Sequence, residues 1–269
     1  MLNYLNLMRN SLLNLLWSFC FVPLGTAQVL WLDNVHNQDS VKINESTFEL
    51  LAAHTALTFQ RETVNTPRAL KIMADGKLLA CRGNLKKTQK RNRILAMTAA
   101  PQLVFPGVRM YSHIVPEVSE PIDFQSFVNQ KEVLIGVING RHYPDVLGLN
   151  ERKTAGNVYR LHAYDNSESM IDLFVKRRVN VIIEYPTVFK SYTDDVAATF
   201  KSYTLQGVEK YNLGYIACTD SVQGRETIEL FDKAIRELSS SEKYLQAQAK
   251  WFRDFAFTPL YNEVYKTRF

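Results

Sequence analysis

The sequence lacks the short motifs that identify many enzymes and metal sites. It contains no Gly-x-Ser-x-Gly, no His-Glu-x-x-His and no paired-carboxylate motif, so no motif points to a hydrolase or a metalloprotease. The five histidines are scattered without the spacing of metal ligands: His36, His54, His113, His142 and His162. We therefore expect a protein that is not an enzyme and that needs no metal and no cofactor.

Long basic runs, repeats and low-complexity tracts are also missing. The formal net charge is only +5 over 269 residues, and the densest basic cluster, at residues 86–93, is short and has no interleaved aromatic residue. Such a weak basic signature predicts no nucleic-acid partner. The hydrophobic share of 46% and the charged share of 22% are those of a soluble globular protein.

Acidic residues are absent from the first 27 positions. Arg9 precedes a mostly apolar stretch at 11–24, which is short for a membrane span. Small residues at the −3 and −1 positions of a cut after Ala27 complete the pattern of a secretory signal peptide. We predict that residues 1–27 are removed on export, which lowers the net charge from +5 to +4 by the loss of one base. A membrane anchor or a buried first helix is the alternative.

Cysteine is scarce, with three residues in the whole chain. Cys20 falls in the predicted signal peptide, so the exported chain keeps Cys81 and Cys218. An oxidising compartment would allow these two to form a disulfide, whereas two separate buried thiols fit the sequence equally well. Neither cysteine has the spacing of a metal site or of a redox motif.

The exported chain alternates short apolar runs with amphipathic stretches. A first strand at 29–32 is followed by a helix that Ser46 or Thr47 would cap and that extends to Phe59. Thr66 and the proline after it open the next helix. This alternation indicates an α/β fold with a mostly parallel sheet.

Residues 133–145 combine an apolar strand, a glycine turn and a proline. The apolar run ends before Gly140, and Pro144 fits the first turn of a helix. A helix beginning there would place free backbone N–H groups and the positive end of its dipole beside Arg141. This spot suits an anionic group, and an ordinary βα turn is the alternative.

Four passages follow one another at characteristic spacing. They are the 87–91 loop with Thr98 downstream, the strand and glycine turn at 133–143, the strand at 177–183 and the closing segment at 211–251. Together they resemble the type II periplasmic solute-binding proteins of family 3, which include binders of polar amino acids. The resemblance covers most of the exported chain. It implies an α/β fold of two lobes, each a mostly parallel sheet flanked by helices, with the ligand cleft between the lobes.

The resemblance also implies a division of the chain. Residues 28–118 and 209–269 would form lobe 1, and residues 119–208 would form lobe 2. In lobe 1, Arg91 would bind the ligand carboxylate, with Lys87 and Asn84 as neighbours and Thr98 at the end of the loop.

The second lobe would supply the remaining ligand contacts. Backbone donors are expected from Gly140 to His142, with Arg141 and Tyr143 beside them. Glu184 is the equivalent of the family's amine-binding acid, with Tyr185 next to it.

Three departures from the family pattern widen the expected ligand class. Asn180 replaces the usual Asp of its strand, Glu184 lies one position short, and residues 84–86 replace a serine-rich approach. We therefore expect a small anionic or zwitterionic, amino-acid-like metabolite.

The sequence supports one function and two alternatives. We predict a monomeric periplasmic protein that captures its small-molecule ligand for the permease of an ABC-type transporter. A periplasmic sensor partner that reports the ligand to a membrane receptor is one alternative. A dehydratase-like enzyme on the same scaffold is the other, with Glu184 or His142 as its general acid or base.

Overall fold

The computed structural model describes residues 28–33, 39–117, 119–130, 132–139, 141–150, 157–161, 167–193, 200–252 and 257–268. The predicted signal peptide and Gly140 lie outside these residues. Within them, no helix combines the length and the apolar character needed to cross a membrane.

Strands and helices alternate through the described part of the chain. The strands are β1 (Gln28–Asp33), β2 (Thr58–Thr63), β3 (Ala80–Leu85), β4 (Leu95–Met97), β5 (Leu103–Pro106), β6 (Arg109–Ser112), β7 (Ile135–Ile138), β8 (Val158–Leu161), β9 (Val181–Glu184), β10 (Lys201–Tyr203) and β11 (Tyr211–Thr219). The helices are α1 (Asp39–His54), α2 (Thr66–Ala74), α3 (Gln89–Asn92), α4 (Phe124–Val128), α5 (Ser167–Val175), α6 (Pro186–Ser191), α7 (Val222–Leu238), α8 (Glu242–Ala249) and α9 (Phe257–Arg268).

The strands form two sheets. The first has the order β2-β1-β3-β11-β4, with β5 also paired to β11, and the second has the order β10-β6-β9-β7-β8. Pairing is parallel around β1 and around β7 but antiparallel along β6 and β11. The predicted α/β architecture is confirmed, and both sheets are mixed instead of mostly parallel.

Each sheet has its own hydrophobic core. In the first, Trp31 on β1 stacks on Phe48 of α1 with 3.9 Å between the ring centres, and residues of α7, α8 and α9 join the same cluster. In the second, Tyr111 on β6 stacks on Phe189 of α6 at 3.7 Å. Since each sheet buries its own apolar side chains, we call the two units the first and the second lobe.

The chain passes between the sheets twice, after β5 and before β11. The two crossings touch, because the backbone N–H of Gly107 donates to the carbonyl of Lys210 at 2.7 Å. A Cβ at Gly107 would lie only 2.1 Å from the carbonyl oxygen of Glu209, so the contact requires glycine. The lobe boundaries at 118 and 208 stay a prediction; β6, which precedes the first of them, pairs with the second sheet.

Cys81 and Cys218 form a disulfide. They are opposite each other in the antiparallel ladder of β3 and β11, and the two sulfurs are 2.02 Å apart. Of the two states that the sequence left open, the structure has the bonded one.

The bounds of α1 differ from the expected ones. The helix begins at Asp39 and ends at His54, so Ser46 lies in its interior, where its hydroxyl donates to the carbonyl of Lys42 at 2.9 Å. Phe59 belongs to β2. The predicted cap at Ser46 or Thr47 is therefore wrong; such residues also donate to a carbonyl one turn back inside a helix.

Candidate functional site

Tyr185 marks the place where the two lobes meet. It follows β9 of the second sheet, yet it packs against apolar clusters of both lobes. Its ring centre is 5.8 Å from that of Phe105 on β5 of the first sheet. We call the space between the first-lobe loop at 86–91 and the second-lobe segments at 141–143 and 184–185 the cleft.

Arg141 and Glu184 form a buried ion pair on the second-lobe side of the cleft. Arg141 follows β7 and Glu184 ends β9, and these parallel neighbours bring their carboxyl ends to one edge. Arg141 Nη1 donates to Glu184 Oε2 at 2.6 Å and Nη2 donates to Oε1 at 2.5 Å. The side chains are only 12% and 2% exposed.

Both carboxylate oxygens of Glu184 accept hydrogen bonds within the second lobe. Its Oε1 also accepts from the backbone N–H of Tyr185 at 2.8 Å. Burial lowers the pKa of Arg141, but the charge of Glu184 and the hydrogen bonds to it outweigh burial and raise that pKa above its ordinary value. The sequence assigned Glu184 to a ligand amine and Arg141 to a ligand anion; in the structure the two side chains bind each other.

Arg91 and Lys87 lie on the first-lobe side. Thr88 caps α3, because its hydroxyl oxygen accepts from the backbone N–H of Arg91 at 3.2 Å. The half-buried Arg91 also donates from Nη1 to the carbonyl of Lys86 at 2.9 Å. Lys87 Nζ sits 4.2 Å from the ring centre of Tyr215, and burial lowers the pKa of Lys87. The loop thus presents cations at the end of β3.

His142 connects the two sides electrostatically. Burial lowers its pKa, the positive charges of Lys86 and Arg91 lower it further, and Asp145 opposes them. Asp145 Oδ1 lies 3.7 Å from His142 Nε2. His142 follows β7 of the second lobe, so two of the charges that lower its pKa belong to the first lobe.

Two predicted site residues serve the framework. Thr98 is fully buried, and its hydroxyl oxygen accepts from the backbone N–H of Ile216 at 3.2 Å, which ties the end of β4 to β11. Tyr143 is 3% exposed, and its hydroxyl oxygen accepts from the backbone N–H of Ile138 at 2.8 Å. Both hydroxyls accept hydrogen bonds from the backbone of their own lobe, and contact of either residue with a ligand stays a prediction.

Asn84, the last residue but one of β3, has an unusual backbone conformation. Its φ is +58°, in the left-handed region that asparagine tolerates better than most residues. Its backbone N–H donates to Gln102 Oε1 at 3.1 Å. Its side chain lies over Gly214, where a Cβ would be 2.5 Å from Asn84 Oδ1. After Asn84 the chain continues into the first-lobe loop at 86–91, which we call the cationic loop because it carries Lys86, Lys87 and Arg91.

The expected helix after Pro144 is wrong. The chain forms only a three-residue 3₁₀ turn, Asp145–Leu147, which ends at Gly148. A turn of this length has no helix dipole to attract an anion. The backbone N–H of Arg141 donates to the carbonyl of Ile138 at 3.3 Å, so it is engaged within its own lobe.

Asn212 is a candidate that the sequence reasoning missed. It lies directly opposite Phe105 in the β5–β11 ladder, and Phe105 touches Tyr185 at the cleft. Its side-chain Nδ2 is buried and has no hydrogen-bond partner among the residues that the structure describes. Because a buried donor without a partner is costly, such a group often awaits an acceptor. One amide near the start of an otherwise apolar strand is the signal that could have found it.

Neither a protein-family model nor a curated protein sequence matches the chain. Solved structures match it in fold. An ancestral arginine-binding protein bound to arginine has 13% identity and a TM-score of 0.63, covering 84% of this chain and 98% of that one. The arginine-, lysine-, histidine-binding protein ArtJ from Geobacillus stearothermophilus has 11% identity, a TM-score of 0.65 and coverage of 87% and 98%. An ancestral amino acid-binding protein, a precursor of cyclohexadienyl dehydratase, has 12% identity and a TM-score of 0.61, covering 84% of this chain and 96% of that one.

These similarities establish the architecture. The described chain has the two-lobe fold of the type II periplasmic solute-binding proteins, as the four sequence passages predicted. Identities of 11–13% support the fold alone. One fold of this kind can host several functions, so the residues of the cleft decide which function this chain has.

Proposed function

We propose that this chain is an exported solute-binding protein that holds a small anionic or zwitterionic, amino-acid-like metabolite between its lobes. The observation that carries the proposal is the placement of Lys87 and Arg91 in the loop after β3 of the first lobe, from which positive charge lowers the pKa of His142 in the second lobe. Positive groups gathered in one loop at the edge of a cleft concentrate and orient an anion. The two-lobe fold supplies a closing motion about crossings such as the one at Gly107.

Five residues of the cleft would contact the ligand. Arg91 and Lys87 bind a carboxylate of the ligand, since a guanidinium fork and an ammonium both suit that group. His142 donates a hydrogen bond to the ligand from the second-lobe side of the cleft. Asn212 supplies the buried amide donor, and Tyr185 covers the ligand body.

The number of contacts fits reversible capture. A hydrogen bond to a charged group contributes about 1.5–3 kcal/mol. Two or three of them, with aromatic cover, correspond to a dissociation constant of about 1 μM, equivalent to about −8 kcal/mol. Binding of this strength suits a protein that must also release its ligand to a partner.

We further propose a periplasmic location and delivery to an ABC-type permease. The signal-peptide pattern at residues 1–27 supports export. Among the solved structures of the same fold is the substrate-binding protein of an amino acid ABC transporter, which matches over 84% of this chain at 14% identity. Osmotic-shock fractionation tests the location, and size-exclusion chromatography tests the proposed monomer.

A melting-shift screen over amino acids, organic acids and small phosphates tests ligand capture. A ligand that binds only the native state raises the melting temperature, by several degrees at about a hundredfold excess over its dissociation constant. Arg91→Ala should abolish this shift while the ligand-free protein stays folded, because the guanidinium is the main carboxylate donor. An unchanged affinity in Arg91→Ala would remove Arg91 from the site.

Arg93→Ala is the matched control, since Arg93 is an exposed base just after α3. It should bind ligand like the wild type. Loss of the shift in both variants would indicate a general effect of removing positive charge from the loop instead of a contact made by Arg91.

The dehydratase-like alternative fits the cleft less well. Both oxygens of Glu184, its candidate acid, accept hydrogen bonds from Arg141 at 2.6 and 2.5 Å, so the side chain is engaged within its own lobe. Incubation of the protein with each compound that binds, followed by mass spectrometry, separates the two functions. Turnover of the bound compound would favour the enzyme.

A further inference from the structure

Two buried hydrogen-bond donors lie beside the point where the two crossings touch. Arg109 Nε and Asn212 Nδ2 are both buried, and neither has a hydrogen-bond partner among the residues that the structure describes. Gly107 and Lys210 make the backbone contact between the crossings, and Arg109 and Asn212 each follow one of them along the chain by two positions. Arg109 is on β6 of the second sheet and Asn212 is on β11 of the first, so each lobe contributes one of these donors.

Tyr185 connects the surroundings of the two donors. Asn212 is directly opposite Phe105 in the β5–β11 ladder, and Arg109 is directly opposite Glu184 in the β6–β9 ladder. Residues that are opposite each other in an antiparallel ladder have side chains on the same face. Tyr185 follows Glu184, and its ring centre is 5.8 Å from that of Phe105. We call the region bounded by Arg109, Asn212 and Tyr185 the crossing subsite.

Arg109 has an acidic neighbour, but that contact does not use Nε. Its Nη2 lies 3.6 Å from Glu120 Oε2, which is longer than a hydrogen bond. The same oxygen of Glu120 accepts from the backbone N–H and from the hydroxyl of Thr204, at 2.7 and 2.5 Å. Glu120 is thus bound mainly by Thr204, and the guanidinium group keeps Nε as a donor for another acceptor.

The chemistry of the two donors favours an acidic group at the crossing subsite. A buried donor without an acceptor is unfavourable, and a ligand that supplies the acceptor removes that cost. A guanidinium group forms strong hydrogen bonds with a carboxylate, and the two oxygens of a carboxylate can accept from two donors at once. An ammonium group has no acceptor and would repel the charge of Arg109.

From this arrangement we infer that the ligand has a second acidic group, which Arg109 and Asn212 bind while the cationic loop binds the first. The ligand is then a small dicarboxylic compound, with or without an amino group, that extends from the cationic loop to the crossing subsite. The inference rests on the proposed solute-binding function and narrows its ligand class. It also adds Arg109, which the sequence did not indicate, to the residues that determine specificity.

Isothermal titration calorimetry on the purified chain tests the inference with matched compounds. Succinate is compared with propionate, glutarate with butyrate, and aspartate with alanine, so that each pair differs by one carboxylate. For any pair that binds, the compound with two carboxylates should bind at least about tenfold more tightly, because its second carboxylate gains charge-assisted hydrogen bonds.

The outcomes separate this inference from the proposed function. Equal affinity within a pair that binds overturns the inference and leaves the solute-binding proposal standing. The same holds if the melting-shift screen finds a ligand with a single acidic group and none with two. If no compound of that screen binds, the proposed function fails and the inference fails with it.

The variants Arg109→Met and Asn212→Leu locate the contact. Each should weaken binding of the dicarboxylate at least about tenfold and leave the affinity for the matching monocarboxylate unchanged. Asn212→Leu without ligand should melt at or above the wild-type temperature, since it removes a buried donor that has no described partner. A purely structural role would instead lower the melting temperature and leave the ratio of the two affinities as in the wild type.

Arg178→Met and Asn129→Leu are the matched controls, because both residues are exposed in the second lobe. Both controls should keep the wild-type preference for the dicarboxylate. The same preference in both donor variants overturns the assignment of Arg109 and Asn212. A loss of the preference in the controls as well would show a general effect of the exchanges and would also overturn it.

Discussion

The Arg141–Glu184 pair illustrates how much of this cleft depends on single side chains. Each charge is tolerable in its buried position because the other lies within hydrogen-bond distance. The flat guanidinium also lies 5.2 Å from the ring centre of Tyr185, so packing holds the fork in place. The pair therefore contributes to the shape of the second-lobe wall as well as to its charge.

Removing one partner of this pair should be costly. We expect Arg141→Met to lower the free energy of unfolding by about 3–5 kcal/mol, because it leaves Glu184 buried without a counter-charge. The double variant Arg141→Met, Glu184→Leu should recover most of that loss, since it buries no charge. Urea unfolding of the three proteins measures both effects. A double variant as unstable as the single one would mean that the two charges do not act as a pair.

At the residue scale, the sequence located the cationic loop but not the pairing of the second-lobe residues. The order of residues along the chain is enough to place Arg91 and Lys87 in a loop after a strand. The partner of Glu184 depends on β7 and β9 being neighbours in the sheet, although Arg141 and Glu184 are 43 positions apart. Asn212 went unnoticed because its exposure and partners depend on the three-dimensional fold.

At the scale of elements, the disulfide joins two strands that are distant in sequence. Cys81 on β3 and Cys218 on β11 are 137 positions apart, so the bond restricts a large loop of the unfolded chain. Both residues are fully buried in the first-lobe core. The bond therefore stabilises the strand pair on which the cationic loop is built.

Loss of this disulfide should be measurable. The double variant Cys81→Ala, Cys218→Ala should lose about 2–5 kcal/mol of unfolding free energy, because its unfolded chain regains the entropy of an open loop. Urea unfolding without reductant measures the difference. Dithiothreitol should destabilise the wild type and leave the double variant unaffected; equal stability of the two proteins without reductant would contradict the prediction.

Element bounds were predictable where local chemistry fixes them. The helix predicted to open at Thr66 is confirmed as α2, because Asn65 supplies the cap and the proline stands in the first turn. The prediction failed for α1 and after Pro144. A serine or threonine hydroxyl can cap a helix or donate to a carbonyl inside it, and a proline can begin a helix or a short turn. In both places the packing of the folded chain decided between the two conformations.

At the scale of the whole molecule, the order of strands and helices indicated an α/β fold, and the resemblance of four passages to a known family implied its two lobes. That order survives at 11–13% identity to the solved structures, since the hydrophobic pattern of buried strands tolerates extensive substitution. The sheet to which β6 belongs was not predictable in this way. A four-residue strand beside a crossing has the same local pattern in either sheet.

The influence of first-lobe charges on His142 should couple ligand binding to protons. In the ligand-free protein its pKa is lowered from the ordinary value of 6.5 by burial and by Lys86 and Arg91. The neutral form is thus favoured on folding, so this contribution to stability is present above pH 6.5 and is lost as pH falls from there through the lowered pKa. An anion bound beside these cations would offset their charge and raise the pKa of His142 again.

Binding should therefore take up a proton, and affinity should increase as pH falls from about 7 to about 5.5, below the ordinary histidine pKa. Titrations at several pH values, in buffers of different ionisation enthalpy, measure both the affinity and the proton uptake. His142→Gln keeps a donor but cannot titrate, so its affinity should vary less with pH over this range. The same pH dependence in His142→Gln would assign the proton to another group and would separate His142 from the ligand. A smaller pH dependence of affinity in His142→Gln would show that His142 of the second lobe responds to the ligand carboxylate that the first lobe binds.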